Sequence, residues 1–249
     1  MKVVVIGGTG LIGSQVVGLL RDQGHEAVAA SPSSGVDSTT GEGLADALAG
    51  AQVVVDVTNP PVFTPDGVMA FFTSSGRNLA EAELAAGVGH HVALSIVGLD
   101  RAGADAFYLK AKVAQEKQIR DSGVPFTIVR ATQFFEFLKG IADSATVGDE
   151  VRVTSKTLQP LAAAEVAAFV AEVAINEPVD DVVEIAGPER IPLSEAVRRR
   201  LEALGDPRKV VDDDSAPYFG DVIADDTLVP GDEPHRTGKI TFAEWLASQ

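Results

Sequence analysis

The most constraining stretch of this chain is its beginning. Val3, Val4, Val5 and Ile6 form an unbroken β-branched run, the pattern of a strand buried on both faces of a parallel sheet. A glycine turn follows at once, Gly7-Gly8-Thr9-Gly10-Leu11-Ile12-Gly13. From Ser14 to Arg21, the residues Val16, Val17, Leu19 and Leu20 give a helix its apolar face, and Gly24 is a natural stop. Glycines between a strand and a helix have separable tasks: to make the tight turn, to let backbone approach a pyrophosphate, and to let helix pack on strand. The turn reads both as Gly8-x-Gly10-x-x-Gly13 and as Gly7-x-x-Gly10-x-x-Gly13. The N–H groups at the helix start, around Leu11, Ile12 and Gly13, then face a phosphate at the positive end of the helix dipole. These residues together with Thr9 are the expected dinucleotide cradle.

Strand and helix patterns alternate from there. Strands are expected at 26–30, 52–57, 92–95 and 126–130, and helices at 43–50, 67–86 and 104–121. Such alternation predicts an α/β fold, a Rossmann-type doubly wound parallel sheet. Beyond residue 150 the segments shorten: strands at 151–153 and 182–185, helices at 164–174 and 194–204, and a short helix around Phe242 and Trp245. The expected organisation is one nucleotide-binding domain over residues 1–249, with residues from about 150 forming a small C-terminal α/β lobe on the substrate side.

Composition removes several classes. A net charge of −16 gives no long-range attraction to a phosphate backbone, so nucleic acid is not an expected partner. The chain has no cysteine, which excludes disulfides and thiolate chemistry. His90 and His91 are adjacent, and on a strand they face opposite ways, so no metal site is expected. The N-terminal apolar run is broken by glycines, and 161–175 carries Glu165 and Glu172, so no membrane span or signal segment is expected. A cytoplasmic protein with a small-molecule substrate is the resulting expectation.

The loop after the second strand bears on cofactor choice. A carboxylate about 20 residues past the glycine turn ordinarily holds the ribose 2′-hydroxyl of NAD. Ser31 stands there, with Ser33 and Ser34 beside it. No carboxylate repels a 2′-phosphate and hydroxyls can donate to one, so NADP(H) is favoured and NAD(H) stays open, as does a serine turn that touches no phosphate. Thr58 and Asn59, before Pro60-Pro61, sit where the third strand ends, the edge at which open α/β sheets bind ligands.

Tyr108 and Lys112 are four residues apart on an expected helix and share a face. Ser95 ends the preceding strand. A phenol near pKa 10 is too weak an acid and base at neutral pH, and a nearby ammonium favours its ionised form. Tyr can then exchange a proton with a substrate oxygen as hydride moves. This Ser…Tyr-x-x-x-Lys arrangement, with Gly-Gly-Thr-Gly-Leu-Ile-Gly at the start, resembles the short-chain dehydrogenase/reductase superfamily. The stretches Ala111-Lys112…Glu116 and Ile128-Val129-Arg130-Ala131-Thr132-Gln133-Phe134 are most similar to its atypical NmrA-like branch.

The resemblance implies an NAD(P)H-dependent oxidoreductase that reduces a small carbonyl, quinone or conjugated compound. Ser95, Tyr108 and Lys112 would be catalytic, with Lys112 also gripping the nicotinamide ribose. It implies an adenine contact for Asp37, which equally suits turn chemistry, and matches Asn78 to a helix asparagine of extended members. Thr132, Phe134 and Phe135, with Phe137, stand where a flat substrate would be walled, or where a core would be packed. Two other functions stay in view: a noncatalytic NAD(P)-sensing regulator acting through a protein partner, and a nucleotide-sugar epimerase or dehydratase. The short region after residue 150 speaks against the last.

Overall fold

A computed structural model describes residues 1–101, 103, 106–232 and 234–249. In chain order the strands are β1 (Lys2–Ile6), β2 (Glu26–Ala30), β3 (Val53–Asp56), β4 (His90–Ile96), β5 (Phe126–Ala131), β6 (Thr146–Val147), β7 (Glu150–Val153), β8 (Thr157–Leu158), β9 (Asp181–Ala186), β10 (Ile191–Pro192), β11 (Lys209–Asp212) and β12 (Arg236–Thr237). The helices are α1 (Leu11–Asp22), α2 (Leu44–Leu48), α3 (Pro65–Ala86), α4 (Phe107–Asp121), α5 (Leu138–Ser144), α6 (Ala163–Ala174), α7 (Leu193–Ala203) and α8 (Phe242–Ala247).

A seven-stranded parallel sheet runs in the order β12-β9-β5-β4-β3-β1-β2. β1 pairs in register with β2 on one side and β3 on the other, so the winding reverses between β1 and β3. Ligands of open α/β sheets bind at that switch point. The expected strands and helices are all present, with ends displaced by a few residues. α3 begins at Pro65 rather than at 67, because Thr64 caps it: its hydroxyl accepts the Gly67 N–H at 3.3 Å, and Pro65 needs no donor partner. The expected start of α4 at residue 104 lies outside the described residues.

The chain divides into two compact units. The first comprises Met1–Ser95, Lys110–Arg130 and Val166–Val183. Its core on one side of the sheet joins Val4, Ile6, Ala30 and Val54 to Leu44, Leu48 and Leu79. Val3, Val4, Val5, Val54 and Val55 are wholly buried, as a strand covered on both faces must be.

The second unit comprises Ile96–Leu109, Ala131–Glu165 and Glu184–Gln249. Its core gathers Phe135, Leu138, Leu158, Val197, Leu201, Phe242 and Trp245. β6, β7 and β11 form a small sheet of their own, and β8 pairs antiparallel with β10. These strands are two to four residues long, too short for a periodic pattern. α8 has a capping box, with Thr241 and Glu244 each bonding the other's backbone N–H.

Candidate active site

The glycine turn separates positions crowded by the protein's own backbone from one that is crowded much less. Gly7 has φ +80°, a conformation that favours glycine. A Cβ on Gly8 would lie 2.7 Å from Ala29 Cα and 2.6 Å from the Val5 carbonyl, and one on Gly13 would collide with the Gly7 carbonyl. The protein's own backbone fills those places. Gly10 differs: its φ of −79° and ψ of −178° suit any residue, and a Cβ there would meet only the Gly7 carbonyl at 3.3 Å. That contact is tight but is the single one within 4 Å, so the protein's own packing crowds Gly10 far less than it crowds Gly8 or Gly13. Gly10 is the N-cap of α1 without a capping side chain, and the first bond of the helix runs from Ser14 N–H to Gly10. Leu11, Ile12 and Gly13 therefore precede the ladder, and the donors a pyrophosphate needs are in place.

The serine loop is tightly bonded within itself. Pro32–Ser34 is one 3₁₀ turn in which Ser31 and Ser34 form a capping box, and the Ser31 and Ser33 hydroxyls lie 2.8 Å apart. Ser34 Oγ donates to the Ser31 carbonyl and accepts its N–H, both at 2.9 Å. Ser31 is buried while Ser33 and Ser34 are exposed. Asp37 makes an Asx-type turn, accepting from Thr39 N–H at 2.8 Å and Thr39 Oγ1 at 2.6 Å. The Thr39 hydroxyl bond, against the opposing cost of partial burial, holds its carboxyl below the usual range. Asn78 secures the same loop from α3, donating to the Ser38 and Thr39 carbonyls at 2.9 Å each.

Ser95 and Lys112 both lie in a buried polar network of the first unit. Ser95 Oγ donates to Glu116 at 2.6 Å, and Arg130 grips Glu116 through two nitrogens at 2.9 and 2.8 Å. Lys112 Nζ donates to the Leu94 carbonyl at 2.8 Å and to Gln115 Oε1, and stands 4.6 Å from the centre of the Phe72 ring. Gln115 Nε2 donates to Asp56 Oδ2 at 2.8 Å. Asp56 Oδ1 accepts from Thr58 N–H at 3.0 Å and Thr58 Oγ1 at 2.7 Å, which fixes the start of the loop that carries exposed Asn59. Burial pulls the Lys112 ammonium down to about 8, against the opposing pull of Asp56 and Glu116. Sequence reasoning passed over Gln115 and Asp56. Their signals were a lone charge in an otherwise apolar strand and an amide three residues past Lys112 on the same helix face.

Tyr108 belongs to the second unit, one turn before Lys112 on α4. It is buried and stacks on Phe219 at 5.2 Å between ring centres, with Tyr218 edge-on to Phe219 at 4.7 Å. Burial raises its pKa, the reverse of the lowering expected from Lys112, because desolvation of the phenolate dominates. Phe219 is unforeseen from sequence and carries a positive φ of 49°. Phe135 stacks on Phe242 at 5.0 Å and is 1% exposed, so it is core rather than a substrate wall. Thr132 is also buried, its hydroxyl donating to the Gln159 carbonyl at 2.6 Å. Phe134 is buried and stacks on half-exposed Phe137 at 5.2 Å.

His90 bonds Thr127 at 2.9 Å and His91 bonds Glu83 at 2.7 Å, on opposite faces of β4. Among the described residues no group of three or more His, Asp or Glu is placed to hold a metal, and no helix is long and apolar enough to cross a membrane.

A winding reversal with a glycine turn at its edge, and a helix start offering donors over an unfilled Gly10 face, define a Rossmann-type dinucleotide-binding protein. The chain belongs to the NAD(P)H-binding family, which it matches over residues 7–177. A (4-alkanoyl-5-oxo-2,5-dihydrofuran-3-yl)methyl phosphate reductase of Streptomyces griseus is 33% identical over 144 residues, 53% of this chain and 48% of that one. The photosystem II assembly factor Ycf39 of Cyanophora paradoxa is 26% identical over 174 residues, 62% of this chain and 54% of that one. The chain thus spans about half the length of the curated relatives it matches. Among solved structures, MoeE5 in complex with UDP-glucuronic acid and NAD is 19% identical with a TM-score of 0.77, over 100% of this chain and 97% of that one. The NADPH-dependent quinone oxidoreductase QOR2 of Escherichia coli is 18% identical with a TM-score of 0.64, over 85% and 77%. At these identities the structural likeness establishes the fold.

Proposed function

We propose that this protein is an NAD(P)H-dependent oxidoreductase of the short-chain dehydrogenase/reductase type, acting on a small carbonyl, quinone or conjugated compound. The observation that carries the reading is the Lys112 ammonium. It is buried, yet its direct acceptors are a backbone carbonyl and a neutral amide, while the nearby carboxylates Asp56 and Glu116 are bonded to other groups. A buried lysine kept only for structure ordinarily pairs directly with a carboxylate.

When bound, the cofactor supplies the hydride. Leu11, Ile12 and Gly13 would hold its pyrophosphate at the head of α1, with Gly10 leaving the room and the Thr58-Asn59 loop at the end of β3. Lys112 would hold a ribose hydroxyl with the donor that its bonds to the Leu94 carbonyl and Gln115 leave over. Tyr108, kept protonated by its burial, gives its proton to the substrate oxygen. The alkoxide of a reduced aldehyde or ketone is a stronger base than phenolate, so for those substrates this transfer would run downhill despite the raised phenol pKa, whereas a quinol anion is too weak a base to draw the proton. Ser95 keeps the Glu116–Arg130 pair in place instead of gripping the substrate, since its one donor already serves Glu116. NADP(H) is preferred over NAD(H) because no carboxylate stands at Ser31.

The test is NADPH oxidation across a panel of aldehydes, ketones, quinones and enones, with cofactor affinity measured by fluorescence titration. Turnover on any panel member at a rate above 1 s⁻¹, on the order of ordinary enzymes, supports the reading. Tight cofactor binding with no turnover favours a second reading, an NAD(P) sensor that acts through a protein partner. The commitment of Ser95 to Glu116 and the covering of Tyr108 by Phe219 speak for that alternative, and one relative is named as an assembly factor rather than an enzyme.

A further inference from the structure

We propose that Gln115 is a positioning residue, whose side-chain amide ties the Lys112 ammonium on α4 to the Asp56 carboxylate at the end of β3 and so fixes where that ammonium points. All three side chains are buried. The carboxylate can only accept and the ammonium can only donate, whereas an amide has a donor arm and an acceptor arm. Gln115 uses one for each: Nε2 to Asp56 at 2.8 Å, and Oε1 for Lys112. A direct Asp56–Lys112 pair would aim the ammonium at the carboxylate and spend a donor there. The amide keeps the two charges apart and the ammonium beside the Leu94 carbonyl, over the Phe72 ring. Two of its three donors are then assigned, and no described residue takes the third.

The tether also joins two parts of the sheet edge. Asp56 holds Thr58 with its other oxygen, so the loop after β3 and the ammonium after β4 share one bonded chain, Thr58–Asp56–Gln115–Lys112. The charged groups around it come from every neighbouring element: Asp56 on β3, Glu83 on α3 with its partner His91 on β4, Glu116 on α4, and Arg130 on β5, which pairs with Glu116. Only the statement of what the ammonium holds rests on the proposed function; the tether itself does not.

The experiment labels the lysines with ¹³C and ¹⁵N and follows the Lys112 side chain through pH by NMR, assigning it by its loss in Lys112→Met. Gln115→Met removes an acceptor of the charged form and should lower the Lys112 midpoint by about one pH unit. Gln115→Glu places a carboxylate against the ammonium and should raise it by about one unit. NADPH affinity, titrated in parallel, should fall about tenfold in Gln115→Met, an effect of the size expected for a misplaced charged hydrogen bond. Midpoints that stay put, or that move in the same direction in both variants, overturn the proposal. If Gln115→Met does not fold, the Glu variant decides alone: an upward shift supports the tether and an unmoved midpoint ends it. Opposite shifts with unchanged NADPH affinity keep the tether and instead refute the cofactor role of Lys112.

Discussion

Lys112 and Tyr108 sit one turn apart on α4, yet their surroundings are opposites. Lys112 is held by directional bonds, to a carbonyl and to an amide that is itself bonded to Asp56. Tyr108 lies against the face of Phe219, whose ring is met edge-on by Tyr218. Burial acts on both but changes them differently. The ammonium is brought down to about 8, within reach of working pH, while the phenol is pushed up and stays protonated. The contrast shows two environments on one helix: hydrogen bonds set the position and charge of Lys112 together, whereas the burial of Tyr108 among aromatic rings leaves its proton in place. In the function proposed above, cofactor binding falls to the polar side and proton delivery to the aromatic side.

The sharpest way to break that division is Tyr108→Phe. Deleting the hydroxyl alone should lower carbonyl reduction by about 10²–10⁴-fold, with NADPH affinity by fluorescence within about twofold of the parent, since the stack on Phe219 survives. Near-normal turnover would mean that the substrate takes its proton from water. Next in size is Gly10→Val, which should cost NADPH binding on the order of 100-fold, or about 2.7 kcal/mol, with a thermal midpoint close to the parent's. In the function proposed above the added side chain would occupy ligand space, and the backbone there is already ordinary for a valine. Gly13→Ala should lose stability as well, because its Cβ collides with the Gly7 carbonyl.

A smaller effect reads the polar side through pH. The folded midpoint of Lys112, about 8, lies below its ordinary 10.5, so between them the unfolded chain binds more protons. Stability is therefore penalised below pH 8 and regained as pH rises towards 10.5. Compared with Lys112→Met in urea titrations, the parent should gain about 2 kcal/mol between pH 8 and pH 10. A difference that is flat with pH would mean the ammonium is not buried in solution. The smallest change is Ser31→Asp, which should move cofactor preference towards NADH by about tenfold, or about 1.4 kcal/mol. Paired NADPH and NADH titrations measure it, and an unmoved ratio would place the 2′ position elsewhere.

The sequence alone was enough for the strand-turn-helix opening, the alternation that builds the parallel sheet, and the pairing of Tyr108 with Lys112 on one helix face. These are local facts. A β-branched run, a glycine that must turn and a four-residue offset on a helix depend on near neighbours, and near neighbours are written in order along the chain. Tertiary structure decided what each group touches. Gln115 meets Asp56 across 59 residues and Ser95 meets Glu116 across 21, Phe135 is taken into a core with Phe242 and Trp245, and Phe219 arrives over Tyr108 from a turn with no periodic pattern. The two units are likewise interleaved along the chain, each drawn from three separate segments. Partners of this kind are chosen by packing in three dimensions, and so are the proton affinities of Lys112 and Tyr108, because desolvation depends on everything that surrounds a group rather than on what precedes it in the chain.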